Sequence, residues 1–337
     1  MKTIVLNKKK EPFLDFLKGI CIVWVILHHC LHNQVKDLTL FCFWGETAVP
    51  LFLILQSFHF FRKRNTIIIS DYVSKMWKRV IRPFLFVEIV LFSINLFLYV
   101  LLLKETDFFS LVRLFLNRGG LGWGAYYPWI YVEFAFVLLI VNIAMENMPS
   151  RYYLMFFILI SFLLEYICCI VDLNESFYRL LFFRYFFLIL WGYRLYNDGI
   201  YMNKLDWALS LFSILCIIEF KYFKYDLSPF FYTKPMEWGV AHWVCYFYIG
   251  KLLIFLLYRL YLKVKEISII NSFFSHLGKY SYEVFLFQMC YYCFFPNYLF
   301  SSRIETVWGG VFYYVVSTMI CISPSFICSY FHGNRSN

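Results

Sequence analysis

The chain has 337 residues, and 62% of them are hydrophobic, against about 45–50% in ordinary soluble chains. Apolar runs recur from end to end, which excludes a soluble enzyme with a single anchor and predicts an all-α polytopic membrane protein. The formal net charge of +10 lies mostly in short loops beside apolar runs. This pattern is typical of topology signals, so we expect no nucleic-acid partner.

The apolar runs predict about ten transmembrane helices in a single domain over residues 1–337, since a span needs roughly 20 apolar residues. Lys and Arg number 19 in the segments predicted to be cytoplasmic and nine in those predicted outside, which predicts that both termini are cytoplasmic. The 11 cysteines show no metal-ligand spacing, so we expect no metal site. The predicted spans are 13–33, 38–61, 80–103, 126–145, 152–171, 177–196, 207–220, 239–261, 280–299 and 308–330.

The first predicted span carries ionisable side chains at both ends, which is costly in a bilayer and therefore indicates function. At about 100° per residue, Asp15, Lys18 and His29 share one helix face, with a rise of about 21 Å from Asp15 to His29. This polar stripe predicts a path from one membrane face to the other, with His29, Asp15 and Lys18 as the catalytic candidates. Asp15 is expected to pair with Lys18 or Arg82 at the entrance, a role as much structural as catalytic. His28 points about 100° away, where we expect a structural role, and His32 lies on the next turn near the outer mouth.

A basic cluster precedes the third predicted span, where Lys78, Arg79 and Arg82 stand beside Pro83. Arg offers planar paired donors and Lys a point charge, so the cluster suits phosphate groups. The same residues also fit a positive-inside signal that attracts anionic lipid, and we expect membrane lipids among the partners. The sequence leaves both interpretations open.

Ionisable groups recur in the other spans, and each is expected to point into the helix bundle because lipid exposure is expensive. A structural hydrogen bond or ion pair is the alternative to a functional role for each. The Gly-rich segment 117–128 is a weak phosphate motif, and we expect a re-entrant or connecting loop there. The candidates for lining a substrate site are Glu46, Glu133, Arg184 and His32.

Five short patterns follow one another along the chain in a fixed order. They are Asp15-Phe16-Leu17-Lys18-Gly19 with His29; Val49-Pro50-Leu51-Phe52-Leu53-Ile54 through Ser57; Lys78-Arg79-Val80-Ile81-Arg82-Pro83; FFRYFFLILWGY around Gly192; and Leu277-Gly278-Lys279-Tyr280-Ser281-Tyr282-Glu283-Val284. The ordered set resembles acyltransferase family 3, the membrane O-acyltransferases common in bacterial polysaccharide loci.

The resemblance implies a ten-span enzyme of the bacterial cytoplasmic (inner) membrane. Its co-substrate would be acyl-coenzyme A, with acetyl as the default acyl group, and its acceptor a hydroxyl of a glycan or lipid-linked sugar. No permanently bound cofactor is expected. The resemblance implies that His29 is catalytic, and that Arg79 and Arg82 assist the donor. His29 either deprotonates the acceptor or carries the acyl group, and the sequence does not choose between these routes.

Three positions depart from the family pattern: Glu11 replaces a frequent Arg, Lys18 the commoner Arg, and Gln288 a frequent His. The last change removes a titratable group and leaves His29 as the main candidate base. Two other functions stay open. One is a transporter or flippase for lipid-linked sugars, which would predict inverted repeats or paired broken spans that the sequence does not clearly show. The other is an inactive acyltransferase-like membrane partner.

Overall fold

The computed structural model describes residues 12–103, 106–223, 242–299 and 307–333. The regular elements of these residues are helices, and seven are long and apolar enough to cross a bilayer. The all-α polytopic membrane architecture is therefore confirmed, while the count of ten spans and the cytoplasmic termini stay predictions. The seven candidate spans are Pro12–Cys30, Phe41–Thr66, Ile69–Leu98, Tyr126–Glu146, Ser150–Ile170, Trp243–Val264 and Gly310–Tyr330.

Fifteen α-helices are described, and π-helical turns extend several of them. The turn Trp77–Ile81 joins α4 to α5, and Tyr248–Leu253 leads into α12. The helices are α1 Pro12–Cys30, α2 Asn33–Leu38, α3 Ala48–Lys63, α4 Ile69–Met76, α5 Arg82–Asn95, α6 Phe108–Arg118, α7 Tyr126–Glu146, α8 Tyr153–Ile170, α9 Glu175–Leu180, α10 Leu188–Asn197, α11 Lys204–Ile218, α12 Ile254–Val264, α13 Ser268–Lys279, α14 Ser281–Leu299 and α15 Val307–Gly333.

The structure differs from the prediction at the sixth predicted span and in the connecting segment 104–125. The sixth predicted span, 177–196, is not one helix: α9 ends at Leu180, the backbone is extended at Leu181, and a short 3₁₀ turn holding the buried Arg184 precedes α10. A charged side chain that faces lipid in the middle of a span costs free energy. The break between the helices lets the Arg184 side chain point into the protein instead. Residues 239–241 of the eighth predicted span, and Glu11, lie outside the described residues.

The outside segment predicted as a loop, 104–125, contains the helix α6. Asp107 begins it as an N-cap, since its carboxylate accepts from the Ser110 backbone N–H, a bond that lowers the pKa of Asp107. Gly119 ends it with a φ of +72°, the left-handed conformation that glycine adopts without strain. Both are ordinary helix boundary signals that composition alone does not reveal.

Backbones come into direct contact where α1 crosses α13. A Cβ atom at Gly19 would overlap the carbonyl oxygen of Phe274, and one at Gly278 would overlap the carbonyl oxygen of Asp15. Small residues allow such close approach, which is how helices associate when lipid removes the hydrophobic driving force. The first and last of the five sequence patterns are therefore packing partners, and together they set the position of Asp15 and Lys18.

A second pair of patterns meets in the same way where α3 crosses α10. A Cβ atom at Gly192 would overlap the Ser57 side chain and approach the Ile54 carbonyl oxygen at 2.8 Å. Ser57 is fully buried there. Four of the five sequence patterns are thus packing partners: the first packs against the fifth, and the second against the fourth.

Gly278→Ala is expected to destabilise the protein, because the methyl group would push α13 away from α1. Overpacking of this kind costs about 1–3 kcal/mol. The thermal midpoint in detergent, measured by fluorescence-detected size exclusion, should fall clearly. Gly310→Ala in α15 is the matched control, because the nearest atom to its added Cβ lies at 3.7 Å. Equal midpoints for the two variants would contradict the tight crossing.

Candidate functional site

Three adjoining cavities run through the bundle, and two of them lie along the polar stripe of α1, one at Lys18 and the other at His28 and His29. We call them the basic cavity, the middle cavity and the histidine cavity, with volumes of about 510, 270 and 210 Å³. The basic and middle cavities share wall residues that include His59, Arg79 and Tyr131. The middle and histidine cavities share Val25, Val49, Tyr127 and Phe285. The three spaces therefore form one series.

The basic cavity lies between the end of α3 and the start of α4. Its wall contains three cationic side chains, Lys63, Lys75 and Arg79, together with Asp71 and His59. Lys75 near the end of α4 and Arg79 in the following π-helical turn both line this wall. This concentration of positive charge suits an anionic group.

The middle cavity begins at Lys18 and contacts α1, α3, α7 and α14. Lys18 Nζ lies 2.8 Å from Asp15 Oδ1, so the pairing considered from the sequence is present. Tyr282 donates its hydroxyl to the Val80 carbonyl oxygen at 2.7 Å and thereby ties α14 to the turn that carries Arg79. Gln56 donates to the Tyr131 carbonyl oxygen at 2.9 Å across the same space. The wall is mostly apolar, with few polar contacts, as in a passage for a flexible chain.

The histidine cavity lies at the other end of α1 and contains His28 and His29. The His29 ring lies 5.4 Å from the Trp123 ring and 5.6 Å from the Tyr292 ring, measured between centroids. Tyr292 is fixed by a hydrogen bond from its hydroxyl to the Ile26 carbonyl oxygen. The imidazole thus belongs to a cluster of three aromatic rings at the cavity wall.

The Gly-rich segment 119–124 reaches this imidazole because it folds into the protein. Glu88 on α5 accepts hydrogen bonds from the backbone N–H groups of Leu121 at 2.8 Å and Gly122 at 3.4 Å. Gln288 on α14 donates to the Trp123 carbonyl oxygen at 3.2 Å. Gly120 adopts a φ of +150°, and a Cβ atom there would lie 2.6 Å from the Glu88 carboxylate. The segment is therefore a re-entrant loop that presents Trp123 to His29.

A family model described as an acyltransferase domain, that of acyltransferase family 3, matches residues 11–327. The chain belongs to acyltransferase family 3. With its apolar spans, it is an integral multi-pass membrane acyltransferase, and the resemblance inferred from the sequence is confirmed. Comparison with curated proteins found no match, and comparison with solved structures found none either.

In this acyltransferase family 3 chain, the predicted basic cluster divides. Arg79 lines both the basic and the middle cavity. Lys78 and Arg82 are exposed on neighbouring turns of the same helix. Arg79 is exposed as well, so all three cations lie at the surface, and Arg79 is the one of the three that lines these two cavities.

The four candidates for lining a substrate site do not all lie in one cavity. Glu46 and Arg184 line the histidine cavity beside His29. The Glu133 carboxylate accepts a hydrogen bond from the Phe182 backbone N–H at 2.9 Å, which fixes the chain after α9. His32 is exposed at the start of α2. Among the described residues, no group of three or more His, Cys, Asp or Glu side chains is placed to hold a metal ion.

Several residues of this site were not predicted as site residues. Arg179 lines the histidine cavity, and its guanidinium carbon lies 4.6 Å from the centroid of the Tyr126 ring. His59 lines two cavities, and His28, expected to be structural, lines the histidine cavity. The sequence signal that could have indicated Arg179 is its pairing with Arg184, five residues later, since each arginine is adjacent to a tyrosine.

Glu88→Ala is expected to loosen the re-entrant loop, because two buried backbone N–H groups lose their acceptor. An unsatisfied buried donor costs about 1–3 kcal/mol. Hydrogen exchange followed by mass spectrometry should show faster exchange in a peptide covering 117–128. Glu146→Ala serves as the control, since Glu146 is exposed at the end of α7 and accepts a hydrogen bond from the Asn142 side chain at 2.8 Å. Unchanged exchange in the Glu88 variant would show that the loop is held by other contacts.

Proposed function

We propose that this protein is an O-acyltransferase that moves an acyl group, acetyl by default, from cytoplasmic acyl-coenzyme A to a hydroxyl of a glycan or lipid-linked sugar. The observation that supports this most directly is the series of cavities from the cations Lys63, Lys75 and Arg79 to His29. An acyl-coenzyme A molecule has the same order of parts: phosphates, a flexible arm and a reactive thioester.

In the proposed binding mode, the donor phosphates occupy the basic cavity. Lys63, Lys75 and Arg79 supply the charge, with Lys78 and Arg82 raising the local positive potential at the exposed surface. The arm passes Lys18 through the middle cavity, and the Asp15–Lys18 pair holds that cation at the entrance. The thioester then reaches the level of Tyr127 and Phe285, next to the histidine cavity.

The chemistry requires a base and stabilisation of the developing oxyanion. In the direct route, His29 accepts the proton of the acceptor hydroxyl while the hydroxyl oxygen attacks the thioester carbonyl carbon. The carbon–sulfur bond then breaks, and the coenzyme A thiolate takes the proton from the His29 imidazolium and leaves as the thiol. Tyr127 and Arg184, both in the wall of the histidine cavity, are the groups that can stabilise negative charge on the carbonyl oxygen. In the alternative route, the imidazole is acylated first and the acceptor attacks second.

A transporter or flippase for lipid-linked sugars is the second candidate function. The break between α9 and α10 is the observation that favours it, because transporters place substrate sites at interrupted helices. The two functions differ in donor chemistry, since only the acyltransferase consumes acyl-coenzyme A.

His29→Ala is expected to lower transfer of labelled acetyl from acetyl-coenzyme A by at least about 100-fold, the lower range for loss of a general base. The assay uses protein in lipid vesicles with a set of candidate glycans. His276→Ala is the control, because His276 bonds to the Ser325 carbonyl oxygen of α15, at the other end of the bundle from His29. If the wild-type protein neither binds nor consumes the donor, the transporter or the inactive partner replaces this proposal.

Arg79→Gln is expected to raise the KM for acetyl-coenzyme A by roughly tenfold or more, because a hydrogen bond to a charged group contributes about 1.5–3 kcal/mol. The effect should shrink at high salt. Lys265→Gln is the control, because Lys265 is exposed just after α12. Similar KM values for the two variants would contradict the proposed binding of the donor phosphates in the basic cavity.

A further inference from the structure

The histidine cavity contains two arginines next to one tyrosine, and neither lines the basic cavity proposed for the donor phosphates. The Arg179 and Arg184 guanidinium carbons lie 4.6 and 5.6 Å from the centroid of the Tyr126 ring. Arg184 is only 1% exposed, while Arg179 is half-buried at the cavity wall. Stacking on an aromatic face orients a guanidinium in advance, so that its paired N–H groups meet a flat anion at little entropic cost.

The charges around this cavity are unequal among the described residues. Glu46 lines the cavity but lies 3.8 Å from Lys221, and Asp37 lies 3.7 Å from the same lysine. Glu165 is buried behind the wall, where it accepts the Tyr178 hydroxyl. Among the described residues that line the cavity, Arg179 and Arg184 are cations and Glu46 is a carboxylate. The described lining therefore carries more positive than negative groups.

We propose that the acceptor carries an oxyanion, a carboxylate or a phosphate, that binds Arg179 while the reacting hydroxyl lies at His29. This inference rests on the proposed acyltransferase function and adds the chemical class of its acceptor. Two planar donors on Arg179 match the two oxygens of such a group. Arg184 adds positive potential from behind, and the rings of Tyr126, Tyr127 and Phe285 provide apolar walls. Acidic sugars and sugar phosphates combine a hydroxyl with an anion in this way.

The test compares three acceptor sets in vesicles with labelled acetyl-coenzyme A: glucuronate oligosaccharides, glucose 1-phosphate and neutral glucose oligosaccharides. An acidic acceptor should show kcat/KM at least roughly tenfold above the neutral set, since a charged hydrogen bond contributes about 1.5–3 kcal/mol. Preference for the first or second set identifies carboxylate or phosphate as the source of the anion. Failure of both acidic sets, while the donor is still consumed, overturns the inference.

Arg179→Gln should remove the preference by raising the KM of the acidic acceptor, while the KM for acetyl-coenzyme A stays unchanged. Arg179→Lys should restore part of it, because the charge returns without the planar pair of donors. Arg151→Gln is the matched control: its guanidinium carbon lies 4.8 Å from the Tyr152 ring, on an exposed turn before α8. An equal loss of acidic and neutral acceptors in Arg179→Gln would mean a structural role and overturn the inference.

A failure here can be told apart from a failure of the proposed function. If His29→Ala abolishes acetyl transfer but acidic and neutral acceptors are used alike, the proposed acyltransferase function is supported and the proposed acidic acceptor is overturned. If no donor is consumed by the wild-type protein under any condition, both fall together.

Discussion

The contact of two helix backbones at Gly19 and Gly278 is the constraint on which the arrangement of this molecule depends. In lipid, helices gain little from burying apolar side chains, so close backbone approach and polar contacts must hold them together. The crossing places the start of α1 against α13, and α14 follows immediately. Tyr282 of α14 then bonds to the turn that carries Arg79. One tight contact thus brings together the Lys18 and Arg79 side chains that line the middle cavity.

The end of α1 that bears His29 is organised by polar contacts instead. Glu88 and Gln288 bind the backbone of the re-entrant loop, and the loop carries Trp123 to the imidazole. Gln288 is the residue that departs from the histidine frequent in acyltransferase family 3. In this chain its amide bonds to a backbone carbonyl oxygen, a role that needs a donor and no titration. The departure is thus compatible with an intact site.

Much of this architecture could be predicted from the sequence, because apolar runs and costly buried charges are local signals. The alignment of Asp15, Lys18 and His29 on α1 followed from helix geometry alone. The place of Arg79 in the walls of two cavities did not, since residue spacing does not encode which helices pack around that side chain. The same holds for Arg179, which lines the cavity of His29 from the short helix α9, where the sequence predicted one continuous span.

The junction at Tyr127 and Phe285 has a consequence for the membrane itself. A wet passage joining the two faces of a bilayer would let ions run down their gradients and dissipate the membrane potential. The rings of Tyr127 and Phe285 meet at 5.4 Å between the middle and histidine cavities, with Val25 and Val49 beside them. Moving an ion from water into such an apolar level costs on the order of 20 kcal/mol in the ideal limit. An ion moving from one cavity to the other would have to pass this level, so the passage proposed for the donor arm conducts ions poorly.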